Sequence, residues 1–202
     1  KKGQKVAANR ADRDSSEGAV IARVNQDSTL GAIISLNCET DFVAKNDAFV
    51  ELDYELAEQA VAYSNKEEFL ASDFHGQSVA DKLIEQTGII GEKIEIGAFE
   101  SIQGAFLGAY IHAGNKIAAI TSLSAKVDGA DEAAKSVSMQ VAAMNPIALD
   151  ETAVSQETID QELEIERELL TKEGKPANII DNILKGKMQR FYKDNTLVHQ
   201  SF

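Results

Sequence analysis

The chain has no tryptophan, two prolines and a single cysteine in 202 residues. That lone Cys38 excludes an internal disulfide and a multi-cysteine zinc site, and it fits a reducing, cytoplasmic setting. The histidines, His75, His112 and His199, lie far apart and show no metal-ligand spacing. Positive charge is scarce: 20 Lys and Arg stand against 33 Asp and Glu, a net charge of −13. Such a chain is a poor generic nucleic-acid binder, because phosphate binding depends on basic residues. It suits a partner with a basic face. No apolar run approaches the ~20 residues that span a bilayer, so no membrane segment is expected. A Gly-x-x-x-x-Gly-Lys-Ser/Thr loop and a dinucleotide fingerprint are both missing, so no cofactor or nucleotide site is marked. The first residue is Lys1 rather than Met, so the want of a visible signal peptide leaves a removed targeting segment open.

With 44% hydrophobic residues, the chain can bury a proper core as one large or two small domains. Residues 1–17 are polar and basic and read as a connecting segment or the tail of a helix. Gly18 to Val24 and Leu30 to Leu36 read as a hairpin around Asn25-Gln26-Asp27-Ser28. Asn46 or Asp47 can cap a helix in which Phe49, Leu52, Leu56, Ala60 and Tyr63 recur at helical spacing. A short helix after Asn65 and a helix from Ser78 to near Gly88 follow. Residues 92–124 suggest three successive strands, separated at Gly104 and at Ala113-Gly114-Asn115. An alanine-rich helix from Ala130 to Met144 ends before Pro146. Ile33-Ile34-Ser35-Leu36 and Ile120-Thr121-Ser122-Leu123, each followed by a helix, form a weak internal repeat. The remainder predicts two amphipathic helices joined at Gly174-Lys175-Pro176, an antiparallel hairpin. Such a hairpin could project as a coiled-coil arm or lie flat on the core. The expected class is α+β: two related subdomains, each a small antiparallel sheet with packed helices, plus the helical hairpin.

The densest signal is Asn37-Cys38-Glu39-Thr40-Asp41-Phe42-Val43-Ala44-Lys45-Asn46. It sets an aspartate beside a large aromatic at a strand-to-helix turn, where a loop on a rigid base can present both. Pattern alone leaves two readings: a binding turn, or a core Phe42 with Asp41 helping to cap the next helix. Cys38 reads as a small buried apolar residue, since nothing marks an activating base. Most carboxylates read as solvated helical faces.

Thr40-Asp41-Phe42-Val43-Ala44-Lys45, flanked by Leu36-Asn37-Cys38-Glu39 and Phe49, resembles the signature of the elongation factor Ts family. Arg13 to Gly18, Ile90-Gly91-Glu92, Tyr110 to Ile117, Met139 to Pro146 and Gly174-Lys175-Pro176 extend the resemblance over nearly the whole chain. Two positions depart: Asn115 stands where the family usually has Gly, and Ser201 where it has Pro. The family usually begins with a small helical domain and continues past the hairpin, so the chain is expected to be a core region.

The resemblance implies no enzyme in the covalent sense and no cofactor. It implies a guanine-nucleotide exchange factor for elongation factor Tu, with Thr40, Asp41, Phe42 and Val43 disturbing the partner's magnesium site. Ile90, Gly91 and His112 would supply secondary contacts, although His112 also reads as an ordinary turn residue. The implied layout is a linker or helix remnant at 1–17, core subdomains at 18–103 and 104–148, the hairpin at 149–195, and the start of a return at 196–202. Two rival functions stand beside this. One is an acidic α+β assembly protein, a homodimer through its hairpin, marked by an exposed apolar hairpin with Phe42 buried. The other is a hydrolase needing two carboxylates that converge in a cleft.

Overall fold

The computed structural model describes residues 2–202. Helix α1 (Lys2–Arg10) precedes strands β1 (Glu17–Val24) and β2 (Leu30–Cys38). Between them the Asn25 side-chain oxygen accepts from the Thr29 and Leu30 amides at 2.8 and 3.0 Å, a local turn bond that asparagine makes readily. Helices α2 (Asp41–Ala44), α3 (Asp47–Ala60) and α4 (Lys66–Ala71) follow. The short pair β3 (Asp73–Phe74) and β4 (Gln77–Ser78) leads into α5 (Val79–Ile90). Next come β5 (Glu95–Gln103), β6 (Phe106–Ile111), β7 (Ala118–Leu123) and α6 (Ala130–Met144). Helices α7 (Gln156–Lys172) and α8 (Ala177–Asn195) complete the α+β architecture.

The sequence cues act through specific bonds. Asn46, Asn65, Ser78 and Ser155 each accept an amide of the helix they open. One boundary differs from the sequence reading: α5 continues past Gly88 to Ile90. Gly88 is a packing residue rather than a stop, since a Cβ there would lie 2.6 Å from the Gly3 Cα on α1. The stop is Gly91, whose φ of 82° is left-handed backbone that glycine adopts freely.

Contacts divide the chain into a first unit ending at Ala142 and a second, Ala143–Phe202. In the first, β1, β2 and β5 form one antiparallel sheet in that order. The three strands of residues 92–124 are therefore split: β5 joins β2, while β6 and β7 pair only with each other. Helix α3 packs on β1 and β2 and buries Phe49, Leu56, Ala57 and Ala60 against Ile21, Ile34 and Leu36. Asp53 sits on the same stripe, fully buried. Helix α6 packs by Ala130 and Ala134 against Phe106. Its buried Ser138 hydroxyl lies 2.9 Å from the Gly108 carbonyl oxygen and 2.7 Å from the Thr121 hydroxyl. Each sheet thus has its own helix.

In the second unit, α7 and α8 run as an antiparallel hairpin around a small cluster of Leu170, Ile180 and Leu184. Gly174 at φ 75° turns the chain. Its amide bonds the Thr171 carbonyl and the Lys175 amide bonds the Leu170 carbonyl, both at 3.0 Å, the paired bonds of a glycine-terminated helix.

Candidate functional site

Strand β2 ends at the buried Cys38, whose thiol lies 3.2 Å from the Thr40 carbonyl oxygen. Burial, with help from the Glu92 charge, pushes that thiol up to about 11, so Cys38 is a protonated packing residue. The backbone then breaks into α2. Thr40 is its N-cap, with the hydroxyl accepting from the Val43 amide at 3.4 Å. Only four residues long, α2 closes with Ala44 and Lys45 amides bonded to the Thr40 and Asp41 carbonyls.

Along this turn burial alternates in a way that separates support from display. Ala44 is buried and Val43 packs against the main core. Phe42 points the other way and is 83% exposed. The core reading of Phe42 is therefore wrong. A four-residue helix has one inner face, and Val43 and Ala44 occupy it. Asp41 bonds Lys45 at 2.7 Å, and the Lys45 ammonium, with a smaller contribution from Lys116, holds its carboxyl below the usual carboxylate range. Asp41 is thus ionised beside an exposed ring.

Support for the turn comes from elsewhere in the chain. The Glu92 carboxylate accepts from the Glu39 amide and the Thr40 amide at 3.0 Å each, and from the Thr40 hydroxyl at 2.7 Å. Glu39 reaches back and accepts from the Lys93 amide at 2.7 Å. The Arg10 guanidinium grips the same Glu39 carboxylate at 2.7 and 2.8 Å and, ahead of Lys93, holds it below its ordinary range. Ile90 and Gly91 precede Glu92, with Ile90 packed against the core and Gly91 forming the left-handed cap. Two expected contact regions, Thr40–Val43 and Ile90–Gly91, are therefore stitched to one another.

His112 lies in the β6–β7 turn, exposed, with its Nδ1 2.9 Å from the Tyr110 hydroxyl. Asn115 in that turn has φ 55°, a left-handed conformation that asparagine tolerates better than most residues. Its carbonyl accepts from the Val20 amide at 2.7 Å, which ties the turn to β1. Lys116, next in sequence, pairs with Glu17 at 2.6 Å.

Glu39, Glu92, Arg10 and Lys116 were not among the site residues expected from sequence. Glu39 and Glu92 stand inside quoted motifs, yet as carboxylates they read as solvated surface. The signal that could have found Glu92 is its place directly after a helix-stopping Gly91. Among the described residues no cluster of His, Cys, Asp and Glu could hold a metal ion. No described helix is long and apolar enough to cross a membrane.

Residues 39–202 match the family model described as Elongation factor TS. The chain is 67% identical over 202 residues to a protein of Christiangramia forsetii named Elongation factor Ts, a match covering 100% of this chain and 74% of that relative. A protein of the same name from Flavobacterium psychrophilum is 62% identical over 202 residues, with the same coverage. Another from Porphyromonas gingivalis is 44% identical over 205 residues, covering 100% of this chain and 73% of its own length.

Proposed function

Because the chain belongs to the elongation factor Ts family of translation elongation factors, we propose that it binds GDP-loaded elongation factor Tu and promotes GDP release. No covalent bond is made or broken in such a role, and the setting is the cytoplasm. The observation that supports this most is Phe42, 83% exposed on a turn whose other parts are bonded or buried. A large ring held in water has a free-energy incentive to enter an apolar pocket, about 1.5–3 kcal/mol for full burial.

Phe42 would enter between helices of the GTPase beside its nucleotide site. The energy of burial would stabilise a displaced arrangement of the elements that hold the partner's magnesium. That ion neutralises phosphate charge, so its dislocation weakens the hold on GDP. Asp41, ionised beside the ring, would make polar contacts that set the orientation of the wedge, while Thr40 and Val43 shape and anchor it. Ile90 and Gly91 act from the adjoining turn and His112 from the β6–β7 turn. Linkage requires that nucleotide weaken the factor's own binding by the same ratio, so rebinding of nucleotide releases the factor.

The assembly reading called for an exposed apolar hairpin and a buried Phe42; Ile165, Leu169 and Ile179 are exposed on the hairpin, but Phe42 is exposed as well, which favours the exchange reading. The hydrolase reading needs two carboxylates with perturbed protonation in a cleft, whereas Asp53, whose carboxyl burial pushes up to about 8, is sealed in the core.

Release of a fluorescent GDP from elongation factor Tu tests the proposal. The parent chain is expected to accelerate release, and Phe42→Ala to lose roughly tenfold to a hundredfold of that acceleration, the equivalent of the burial energy. No acceleration and no binding by the parent chain would sink the assignment.

A further inference from the structure

Helix α2 is too short to hold itself. Its four residues close only the first backbone bonds of a helix, and helix nucleation costs more than such bonds return. Yet it carries an exposed phenylalanine that gains nothing from the fold. The missing stabilisation is visible in the Glu92 carboxylate, which takes the Glu39 and Thr40 amides and the Thr40 hydroxyl at once. An ionised acceptor makes each of these bonds stronger than a neutral one. The return bond from the Lys93 amide to Glu39 makes the contact reciprocal. Two turns more than 50 residues apart in sequence, 39–40 and 92–93, are thereby fixed to one another.

We infer that Glu92 is a positioning residue for exchange: it holds the Phe42 turn stiff while the ring is driven into the partner. This rests on the proposed function. A wedge transmits binding energy to its target only if the turn behind it does not yield. Energy spent ordering the turn cannot distort the partner's metal site. Glu92 touches neither nucleotide nor metal in this scheme and acts through Thr40.

The test uses the full chain and two variants. In Glu92→Ala the amides of Glu39 and Thr40 lose their acceptor, and their hydrogen exchange is expected to rise about tenfold or more, while exchange in β1 and β2 stays unchanged. In Glu92→Gln the amide oxygen still accepts the two backbone bonds and the amide nitrogen can donate to the Thr40 hydroxyl oxygen, so protection is largely kept. In stopped-flow GDP release, Glu92→Ala is expected to lower the maximal rate about tenfold with a much smaller change in the half-saturating concentration. Glu92→Gln should recover most of that rate. Unchanged exchange at residues 39 and 40 in Glu92→Ala would overturn the clamp. Raised exchange with a parental maximal rate would overturn the positioning role while leaving the exchange function standing. A parent chain that fails to accelerate release defeats the proposed function and this inference with it, and the hydrogen-exchange result then separates that failure from a failure of the clamp.

Discussion

The turn at residues 39–45 and the hairpin of α7 and α8 both expose large apolar side chains, and they rest on different foundations. Phe42 stands on a turn backed by the main core, from Ile21 and Leu36 to Phe49 and Leu56. Its backbone is held by the Glu92 carboxylate, and its own Glu39 carboxylate accepts from the Lys93 amide. Ile165, Leu169 and Ile179 are 55%, 47% and 39% exposed on a hairpin whose own buried cluster is Leu170, Ile180 and Leu184. Leu163 and Ile183 pack against that cluster, and the Arg167–Asp181 and Glu166–Lys187 ion pairs also link the two helices. Such pairs near a surface add little stability. The contrast teaches that exposure alone does not mark a working surface. Long-range polar bonds behind an exposed ring make it stiff, whereas a hairpin of local contacts bends at small cost.

The sharpest difference between the two regions lies in Asp53. Its burial pushes the carboxyl up to about 8, against a smaller downward pull from the Leu36 backbone amide, and neither oxygen makes a full hydrogen bond. An unfolded aspartate titrates near about 3.9. Between those values the folded chain holds a proton that the unfolded chain has lost. The stabilisation from this group is therefore complete below about pH 4, falls as pH rises, and is gone above about pH 8. The expected loss across that window is on the order of 5 kcal/mol. Asp53→Asn should abolish it, so that the parent-minus-variant difference in stability shrinks steadily from pH 5 to 8.5 in denaturant unfolding. A difference independent of pH would mean that the buried group is not protonated. Among the described residues the hairpin buries no carboxyl as Asp53 is buried, so it should show no matching trend in residue-resolved hydrogen exchange.

Core truncation comes next in size. Leu56 is fully buried between α3 and the sheet, so Leu56→Ala should cost about 3–5 kcal/mol. Leu184, buried in the small hairpin cluster, has neighbours that can close around a cavity, and Leu184→Ala should cost about 2 kcal/mol. Urea unfolding read by hydrogen exchange at residues of each unit separates the two losses. Equal losses would erase the contrast between a consolidated core and a local one.

Much of this was legible in the sequence, and the limits are physical. Local signals succeeded: Asn46 and Ser78 cap the helices expected of them, and Gly174 makes the hairpin turn. The strands around Gly104 and Gly114 were readable for the same reason. Helical spacing placed Phe49, Leu56 and Ala60 inside but passed over Asp53, because an apolar pattern counts aspartate as surface. Gly88 misled because a glycine that admits α1 looks the same in sequence as one that ends a helix. Phe42 was ambiguous, since its neighbours Val43 and Ala44 take the inner face and only the chain's path decides which side the ring faces. The place of Glu92 directly after Gly91 marks it as a turn residue, but composition and spacing do not say which distant turn it meets, here that of Thr40.

The smallest effects test the same contrast through ion pairs. Glu168 and Lys172 form a helical pair one turn apart, at 3.4 Å and with both side chains largely in water. Glu168→Gln should cost no more than about 0.3–0.5 kcal/mol, and less in high salt. The Arg10–Glu39 pair differs in each respect that matters. Both Glu39 oxygens accept from one Arg10 guanidinium nitrogen, the pair is shielded to 33% and 15% side-chain exposure, and Glu39 is also bonded by the Lys93 amide. Arg10→Met removes the main cause of the depressed Glu39 carboxyl while keeping a long apolar stem, so it isolates the charge from the packing. Its expected cost is about 1 kcal/mol, retained better at high salt than that of Glu168→Gln. The loss should show as faster exchange of the Lys93 amide, since Glu39 is then free to swing away from it. If both substitutions cost the same and fade equally with salt, Arg10 does no more for the turn than a surface pair does for a helix. The stiffness behind Phe42 would then rest on Glu92 alone.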